Sequence, residues 1–240
     1  MPPFYVGYLK LPRGLRGFLI AAVACLLVLD VVAAFLVFRA QPAHPTGMWG
    51  VGEAAYTGRF VARPYPMVRV MDGPEPVVLL VGVGKEGAPD GLDGLDGQLV
   101  EVRGYPIMRG DLTVLQLDQM PARQDGTLPA ASAPRKIGDF VMDGEVVDTK
   151  CYAGAMNPGD GKVHKGCASL CIFGGIPPLF VTKGEDGQAR WFILADRGGG
   201  PIGPAVMPIA GDAIRLSGTA VEADGVPLFE VSPDALAALD

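Results

Sequence analysis

Three of the four cysteines and one of the two histidines lie within a single Gly-rich segment of 21 residues. Their spacing is Cys-x12-His-x2-Cys-x3-Cys, formed by Cys151, His164, Cys167 and Cys171. Thiolate and imidazole groups are the protein ligands of zinc, copper and iron–sulfur centres. The spacing therefore predicts a Cys3His metal site within this segment.

Zinc is the first choice of metal, because a closed set of three thiolates and one imidazole suits a tetrahedral ion. Copper(I) and an iron–sulfur cluster are alternatives with the same ligand types. The spacing matches no standard zinc-finger or ferredoxin pattern, so it does not choose among them. Neither an open coordination position nor a general base is evident, which favours a structural or electron-transfer role over hydrolysis.

A disulfide is the competing interpretation, because cysteines outside the cytoplasm usually pair. Cys151 would then bond to Cys167 or Cys171 and leave one free thiol, an unusual result for an exported protein. The fourth cysteine, Cys25, lies in an apolar run far from the others in sequence. Both the metal site and the disulfide remain open at the level of sequence.

Other catalytic patterns are missing from the sequence. His44 and His164 are the only histidines, and neither accompanies a Gly-x-Ser-x-Gly nucleophile motif. No Gly-x-Gly-x-x-Gly loop stands between a strand and a helix. We therefore do not expect the chain to be catalytic on its own, and the role of His44 stays undetermined.

The run from Gly17 to Phe38 contains a single charged residue and is long enough to cross a bilayer. It exceeds the roughly 7–15 residues of a signal-peptide apolar region, so we predict an uncleaved transmembrane helix at 17–38. Lys10, Arg13 and Arg16 precede it, whereas only Arg39 follows closely. The positive-inside rule then makes residues 1–16 cytoplasmic and the remainder periplasmic, at a bacterial inner membrane.

Asp30 is the one charged residue within this run. A carboxylate inside the bilayer is costly unless it faces protein or a polar cavity. We therefore predict that Asp30 contacts other integral membrane subunits. The net charge of −6 and the lack of a basic patch with aromatic residues argue against nucleic acid as a partner.

Beyond the helix, the sequence favours short β-strands. We predict a spacer at 39–57, a first β domain at 58–119, a linker at 120–137, a second β domain at 138–232 and a tail at 233–240. Residues 97–104 match residues 211–218 at a separation of 114 positions. This repeat predicts a mainly β fold in which the helix is followed by two duplicated OB-like small barrels.

The second copy differs from the first in carrying the Cys/His segment between its first and second strands. We expect the first copy to have only the short turn between Val70 and Val77 at that place. Residues 85–97 of the first copy are polar and Gly-rich, and they are interpreted as a plain loop. A long functional loop on a small β scaffold is a frequent arrangement for a binding site.

The stretch Gly-Glu-Val-Val-Asp-x-Lys-Cys-Tyr, followed by Gly-Lys-x-His-Lys-x-Cys-Ala-x-x-Cys-Ile-x-Gly-Gly-Ile-Pro-Pro, covers residues 144–178. It resembles a group of poorly characterised bacterial membrane-anchored or exported β-domain proteins with the same signature. The resemblance implies a single-pass accessory subunit of a membrane redox complex of the respiratory type. The alternative is a free-standing, membrane-anchored periplasmic protein that binds metal or exchanges thiols and disulfides.

Overall fold

The computed structural model describes residues 13–40, 46–71, 77–232 and 235–236. Lys10, His44 and the residues of the predicted turn at 72–76 lie outside the described residues. The chain divides into two compact units, residues 1–44 and residues 45–240. Each unit is described by itself.

The described residues of the first unit, 13–40, form one helix, α1, which spans Arg13–Ala40. It begins four residues before the predicted span and ends two residues after it, and its length is about 42 Å. The helix is long and apolar enough to cross a membrane, and a signal sequence near the N-terminus has the same features. The Asp30 side chain is exposed on this helix, and its contact with other subunits stays a prediction.

The first β-sheet has seven strands: β1 (Met48–Trp49), β2 (Ala54–Val61), β3 (Met67–Val70), β4 (Val77–Val81), β5 (Leu99–Arg109), β6 (Leu112–Leu117) and β7 (Ala122–Arg123). Strands β2, β3, β4, β6 and β5 pair in that order, and β5 pairs again with β2. The pairs are antiparallel except for β4 with β6, which is parallel. The two-residue strands β1 and β7 extend the edges of β5.

The second sheet is a closed five-stranded barrel of β8 (Arg135–Asp148), β9 (Pro178–Lys183), β10 (Ala189–Asp196), β11 (Ala213–Ala223) and β12 (Val226–Val231). Its pairing order is β8, β9, β10, β12, β11 and back to β8. The one parallel pair is β10 with β12. The predicted mainly β fold with an N-terminal apolar helix is therefore confirmed.

The two sheets also agree in register. Leu79 of β4 pairs with Val114 of β6, and Ile193 of β10 pairs with Leu228 of β12. Each residue of the second pair lies 114 positions after its counterpart in the first, as the sequence repeat predicts. The final hairpins, β5 with β6 and β11 with β12, begin and end at the same separation.

The Cys/His segment joins β8 to β9, the first and second strands of the second barrel. In the first sheet, residues 62–66 join the corresponding strands β2 and β3. The predicted turn between Val70 and Val77 comes after the second strand, β3, so the sequence comparison chose the wrong connection. A short helix, α2 (Lys165–Phe173), lies within the segment.

Several strands begin inside regions that the sequence assigns to connections. Strand β1 and the first half of β2 fall within the predicted spacer at 39–57. Strand β7 and the first residues of β8 fall within the predicted linker at 120–137. Short strands next to Pro-rich sequence show little hydrophobic periodicity, which explains why the sequence assigned these residues to connections.

Buried apolar side chains form three clusters. One fills the interior of the first sheet around Phe60 and Leu80, and a second fills the barrel around Phe180 and Phe229. The third combines residues of both sheets, among them Met67, Leu79, Val147, Cys151, Cys171, Leu179 and Ile193. The two sheets therefore share a packed seam, and two of the predicted ligand cysteines are part of it.

Candidate metal centre

The segment begins with a tight turn that depends on Asp148, the last residue of β8. Its carboxylate accepts a hydrogen bond from the Cys151 backbone N–H at 2.8 Å, between Oδ1 and N. A single π-helical turn follows at Cys151–Ala155, in which Gly154 has a φ of 137°. This φ strains any residue with a Cβ, so glycine is the residue that the turn requires. The turn places the first residues of the segment in the apolar cluster that the two sheets share.

The second half of the segment is helical. A 3-10 turn at Lys162–His164 leads into α2, on which Cys167 and Cys171 lie four positions apart. Residues four apart lie on the same face of a helix, so both sulfurs point the same way. Cys171 is buried and Cys167 is partly exposed. The helix therefore presents one sulfur at the surface and one inside.

Three of the four predicted ligands converge. A ring nitrogen of His164 and the sulfurs of Cys151 and Cys167 all lie within 4.8 Å of one another. Cys171 belongs to a second group of the same size, with Asp148 and Cys151. Cys151 is common to both groups, and its sulfur is 4.0 Å from that of Cys171. A Cys/His/Cys group close enough to bind a metal ion is thus present.

All four cysteines of the chain are free, and all four are among the described residues. The separation of the Cys151 and Cys171 sulfurs is about twice the ~2.05 Å of a disulfide bond. The disulfide predicted as the alternative is therefore not formed in this structure.

His164 is held by a hydrogen bond to a buried carboxylate. Its Nε2 lies 3.0 Å from Oδ2 of Asp148, and the two side chains are 4% and 0% exposed. A metal-bound histidine characteristically hydrogen-bonds a carboxylate through its second ring nitrogen, which orients the ring and fixes its tautomer. Asp148 uses one carboxylate oxygen for His164 and the other for Cys151, so it acts here as an orienting group.

A cation from the first sheet reaches the sulfurs. Lys85, in the loop after β4, places Nζ 2.7 Å from the Cys167 sulfur and 3.6 Å from the Cys171 sulfur. The hydrogen bond to Cys167 is the main reason that the pKa of Lys85 is raised. Residues 85–97 were predicted to be a plain loop, and the contact of Lys85 with the Cys167 sulfur is a feature of this loop that the sequence did not indicate.

The loop that carries Lys85 is fastened at two places. The N–H of Gly87 donates to the carbonyl of Gly174 at 2.8 Å, directly after α2. The buried ammonium of Lys150 donates to the carbonyls of Gly82 and Gly84 at 2.7 and 2.8 Å. Burial lowers the pKa of Lys150, since removal from water disfavours the charged form. The charge of this ammonium is compensated by two carbonyl dipoles.

The buried sulfurs of Cys151 and Cys171 form a hydrogen-bonded pair. The hydrogen bond between their sulfurs raises the pKa of Cys151 and lowers that of Cys171. Burial raises both pKa values, whereas Lys85 lowers that of Cys171. The arrangement keeps a thiol at Cys151 beside a more readily ionised Cys171.

A pocket of about 350 Å³ opens onto the sulfurs. All three cysteines of the segment line it, together with Lys85, Trp49 and Met156. Trp49 and Lys85 belong to the first sheet, so the pocket lies on the seam. Access from solvent to the candidate centre therefore depends on both sheets.

Further polar contacts hold the seam together. The Tyr65 hydroxyl accepts hydrogen bonds from the N–H groups of Ile202 and Gly203 at 3.0 and 3.1 Å. The Arg109 guanidinium lies over the ring of Tyr152, 4.1 Å from its centroid, and donates to its carbonyl at 3.1 Å. The Arg109 contact fixes the start of the segment against the first sheet, and the Tyr65 contact joins the first sheet to residues 202–203.

Sequence reasoning named Cys151, His164, Cys167 and Cys171, and it missed Asp148, Lys85 and Lys150. Asp148 had a usable signal, since a carboxylate at the end of a strand and three residues before a cysteine is well placed to cap the turn. Lys85 had none, because it is 82 residues from Cys167.

Comparison with protein-family models, with curated proteins and with solved structures finds no match to this chain.

Proposed function

We propose that the chain is a membrane-anchored metal-binding protein whose ion is held by Cys151, His164 and Cys167, with Cys171 as the fourth ligand. The observation that carries this proposal is the Cys/His/Cys group whose histidine is oriented by a buried carboxylate. The buried imidazole can bind an ion together with the two thiols. The aspartate can accept a hydrogen bond from the second ring nitrogen and so orient the imidazole.

The spacing of the ligand atoms supports a single tetrahedral ion, with zinc as the first choice. Two sulfurs bound to one zinc at about 2.3 Å lie ~3.8 Å apart. The Cys151 and Cys171 sulfurs are 4.0 Å apart, close to that value. For all four ligands to bind one ion, the Cys171 sulfur would have to move toward His164 and Cys167. The Lys85 ammonium would have to leave its position between the sulfurs of Cys167 and Cys171.

The surrounding charges favour a divalent ion over copper(I). Three thiolates and the Asp148 carboxylate bring four negative charges, whereas Lys85 and Lys150 bring two positive ones. A divalent ion makes this set neutral, and uncompensated charge at a buried site is costly. Copper(I) would leave one negative charge. An iron–sulfur cluster is the remaining alternative.

We also propose that the scaffold consists of two OB-like barrels that arose by duplication. Matching pairing orders, matching parallel pairs and a separation of 114 positions from β4, β5 and β6 to β10, β11 and β12 support this origin. Five-stranded barrels of this kind carry their binding sites on loops. The site would then be an insertion between the first and second strands of the second copy.

Metal analysis of the purified full-length protein in detergent tests the metal site. We expect about one zinc per chain, which the variants Cys151→Ser, His164→Ala and Cys167→Ser lose. The matched control is Cys25→Ser, which removes a cysteine of α1 and should keep the metal. A wild-type protein that binds no zinc, copper or iron under saturating supply would refute the proposal. The metal found decides among the three identities.

The accessory-subunit role is proposed from α1 and Asp30. We propose a single-pass inner-membrane protein with a periplasmic β unit that assembles with integral membrane subunits of a redox complex. Support comes from the length of the apolar helix and from its exposed carboxylate, which has a low cost only beside protein or water. Gentle detergent extraction should recover partner subunits with the wild-type protein and lose them with Asp30→Leu. Recovery of the wild-type protein alone would contradict this role.

A further inference from the structure

The three cysteines of the segment differ in exposure and stand in a defined order. Cys167 is partly exposed and lies at the pocket, whereas Cys151 and Cys171 are 5% and 1% exposed. The Cys151 sulfur is within 4.8 Å of Cys167 and 4.0 Å from Cys171. Cys151 therefore lies between an accessible thiol and a buried one.

We propose that the metal-free segment is a thiol–disulfide relay that passes oxidation from Cys167 through Cys151 to a buried Cys151–Cys171 disulfide. The co-substrate is an external disulfide that enters the pocket, either a small molecule or the active-site disulfide of a thiol oxidoreductase. The relay uses the same sulfurs as the proposed metal. It does not require that the metal proposal be correct, and a bound ion would block it.

The chemistry proceeds by three exchanges. The Cys167 thiolate attacks the external disulfide, forms a mixed disulfide and expels one thiolate. Cys151 then loses its proton to water, attacks the Cys167 sulfur and expels the second external thiolate. Finally Cys171 loses its own proton to water, attacks the Cys151 sulfur and releases Cys167 as a thiolate. Two protein thiols are oxidised by two electrons, and the two protons end on the two external thiols.

Lys85 supports the first and last steps by its position. Its ammonium is 2.7 Å from the Cys167 sulfur, which carries negative charge when it attacks and again when it leaves. Because the Cys167 sulfur is accessible and lies beside a cation, it is the best of the three to attack the external disulfide and to leave in the last exchange. The fixed 82–87 loop keeps this cation at the mouth of the pocket.

The test uses full-length, metal-free, reduced protein in detergent, with Cys25→Ser as the background so that α1 contributes no thiol. The oxidant is 2-hydroxyethyl disulfide, and peptide mass spectrometry after acid quenching locates each bond. We expect the background protein to end with a Cys151–Cys171 disulfide and a free Cys167. Cys151→Ser should accumulate the adduct on Cys167, and Cys171→Ser should stop at a Cys151–Cys167 disulfide.

Cys167→Ser should oxidise at least roughly tenfold more slowly, because its remaining thiols are buried. Stoichiometric zinc should slow the background protein by a similar factor. Circular dichroism of each variant verifies that the β unit is folded. An adduct on Cys171 in Cys151→Ser, or unchanged oxidation of Cys167→Ser, would overturn the relay. A protein that binds no metal but follows this order would overturn only the metal proposal.

Discussion

The connection between the first and second strands is the largest difference between the two sheets. Residues 62–66 make this connection in the first sheet, and residues 149–177 make it in the second. The strands on either side pair in the same order and with corresponding registers in both sheets. The pairing pattern therefore does not depend on what the connection contains.

The long connection is where the candidate metal ligands lie. Cys151, His164, Cys167 and Cys171 all lie in the long connection, but the cation beside them, Lys85, comes from the opposite sheet. The short connection contributes Tyr65, whose hydroxyl binds the second barrel. Each first connection thus reaches across the seam, one with an aromatic anchor and the other with the candidate centre.

Removal of the metal should produce the largest difference in stability between the two connections. If the site holds zinc, chelation should lower the free energy of unfolding by about 4 kcal/mol relative to protein with free zinc at a thousandfold excess over its Kd. Hydrogen exchange should lose protection at 149–177 and change little in strands β2–β6. A uniform loss over both sheets would show that the long connection is not a local unit.

Tyr65→Phe tests the short connection. The substitution leaves the N–H groups of Ile202 and Gly203 buried without their partner. Each orphaned donor costs about 1–3 kcal/mol, so we expect a loss near 3 kcal/mol in chemical denaturation. The exposed Tyr105→Phe is the matched control and should be neutral. An equally stable Tyr65→Phe would mean that water replaces the hydroxyl.

Asp148→Asn tests the support of the long connection. The neutral amide keeps the shape but weakens the orientation of His164, so metal affinity should fall about 10- to 100-fold. Competition with a zinc-binding dye measures this change. The control is Asp143→Asn on the same strand, an exposed residue paired with Arg215, which should keep the affinity. Equal affinities of both variants would remove Asp148 from the site.

We expect Arg215→Gln to have the smallest effect on the free energy of unfolding. It removes an exposed ion pair with Asp143 that takes no part in either connection. Arg215 donates two hydrogen bonds of 2.7 Å to Asp143 and thereby lowers the pKa of that carboxyl. A lowered pKa stabilises the fold above the unfolded-state pKa of aspartate, and the contribution disappears as the pH falls through the folded-state pKa. The variant should raise the pKa of Asp143 in an NMR titration. An unchanged pKa would contradict this assignment.

Much of the scaffold and the set of candidate ligands could be predicted from the sequence. The apolar run gave α1 within a few residues, because length and composition alone identify such a helix. The repeat of residues 97–104 at 211–218 indicated that β5 and β11 are equivalent. Cys151, His164, Cys167 and Cys171 were chosen by residue type and spacing, which depend on local sequence only.

The tertiary structure decided what surrounds those ligands. Lys85 and Cys167 are far apart in sequence and meet because the 82–87 loop packs on the end of α2, and no local pattern encodes such a contact. The pairing of β2 with β3 likewise decided which loop of the first sheet corresponds to the Cys/His segment. Local sequence is enough to identify clustered candidate ligands, turns and apolar runs. Contacts between the two sheets follow from the packing of the whole chain.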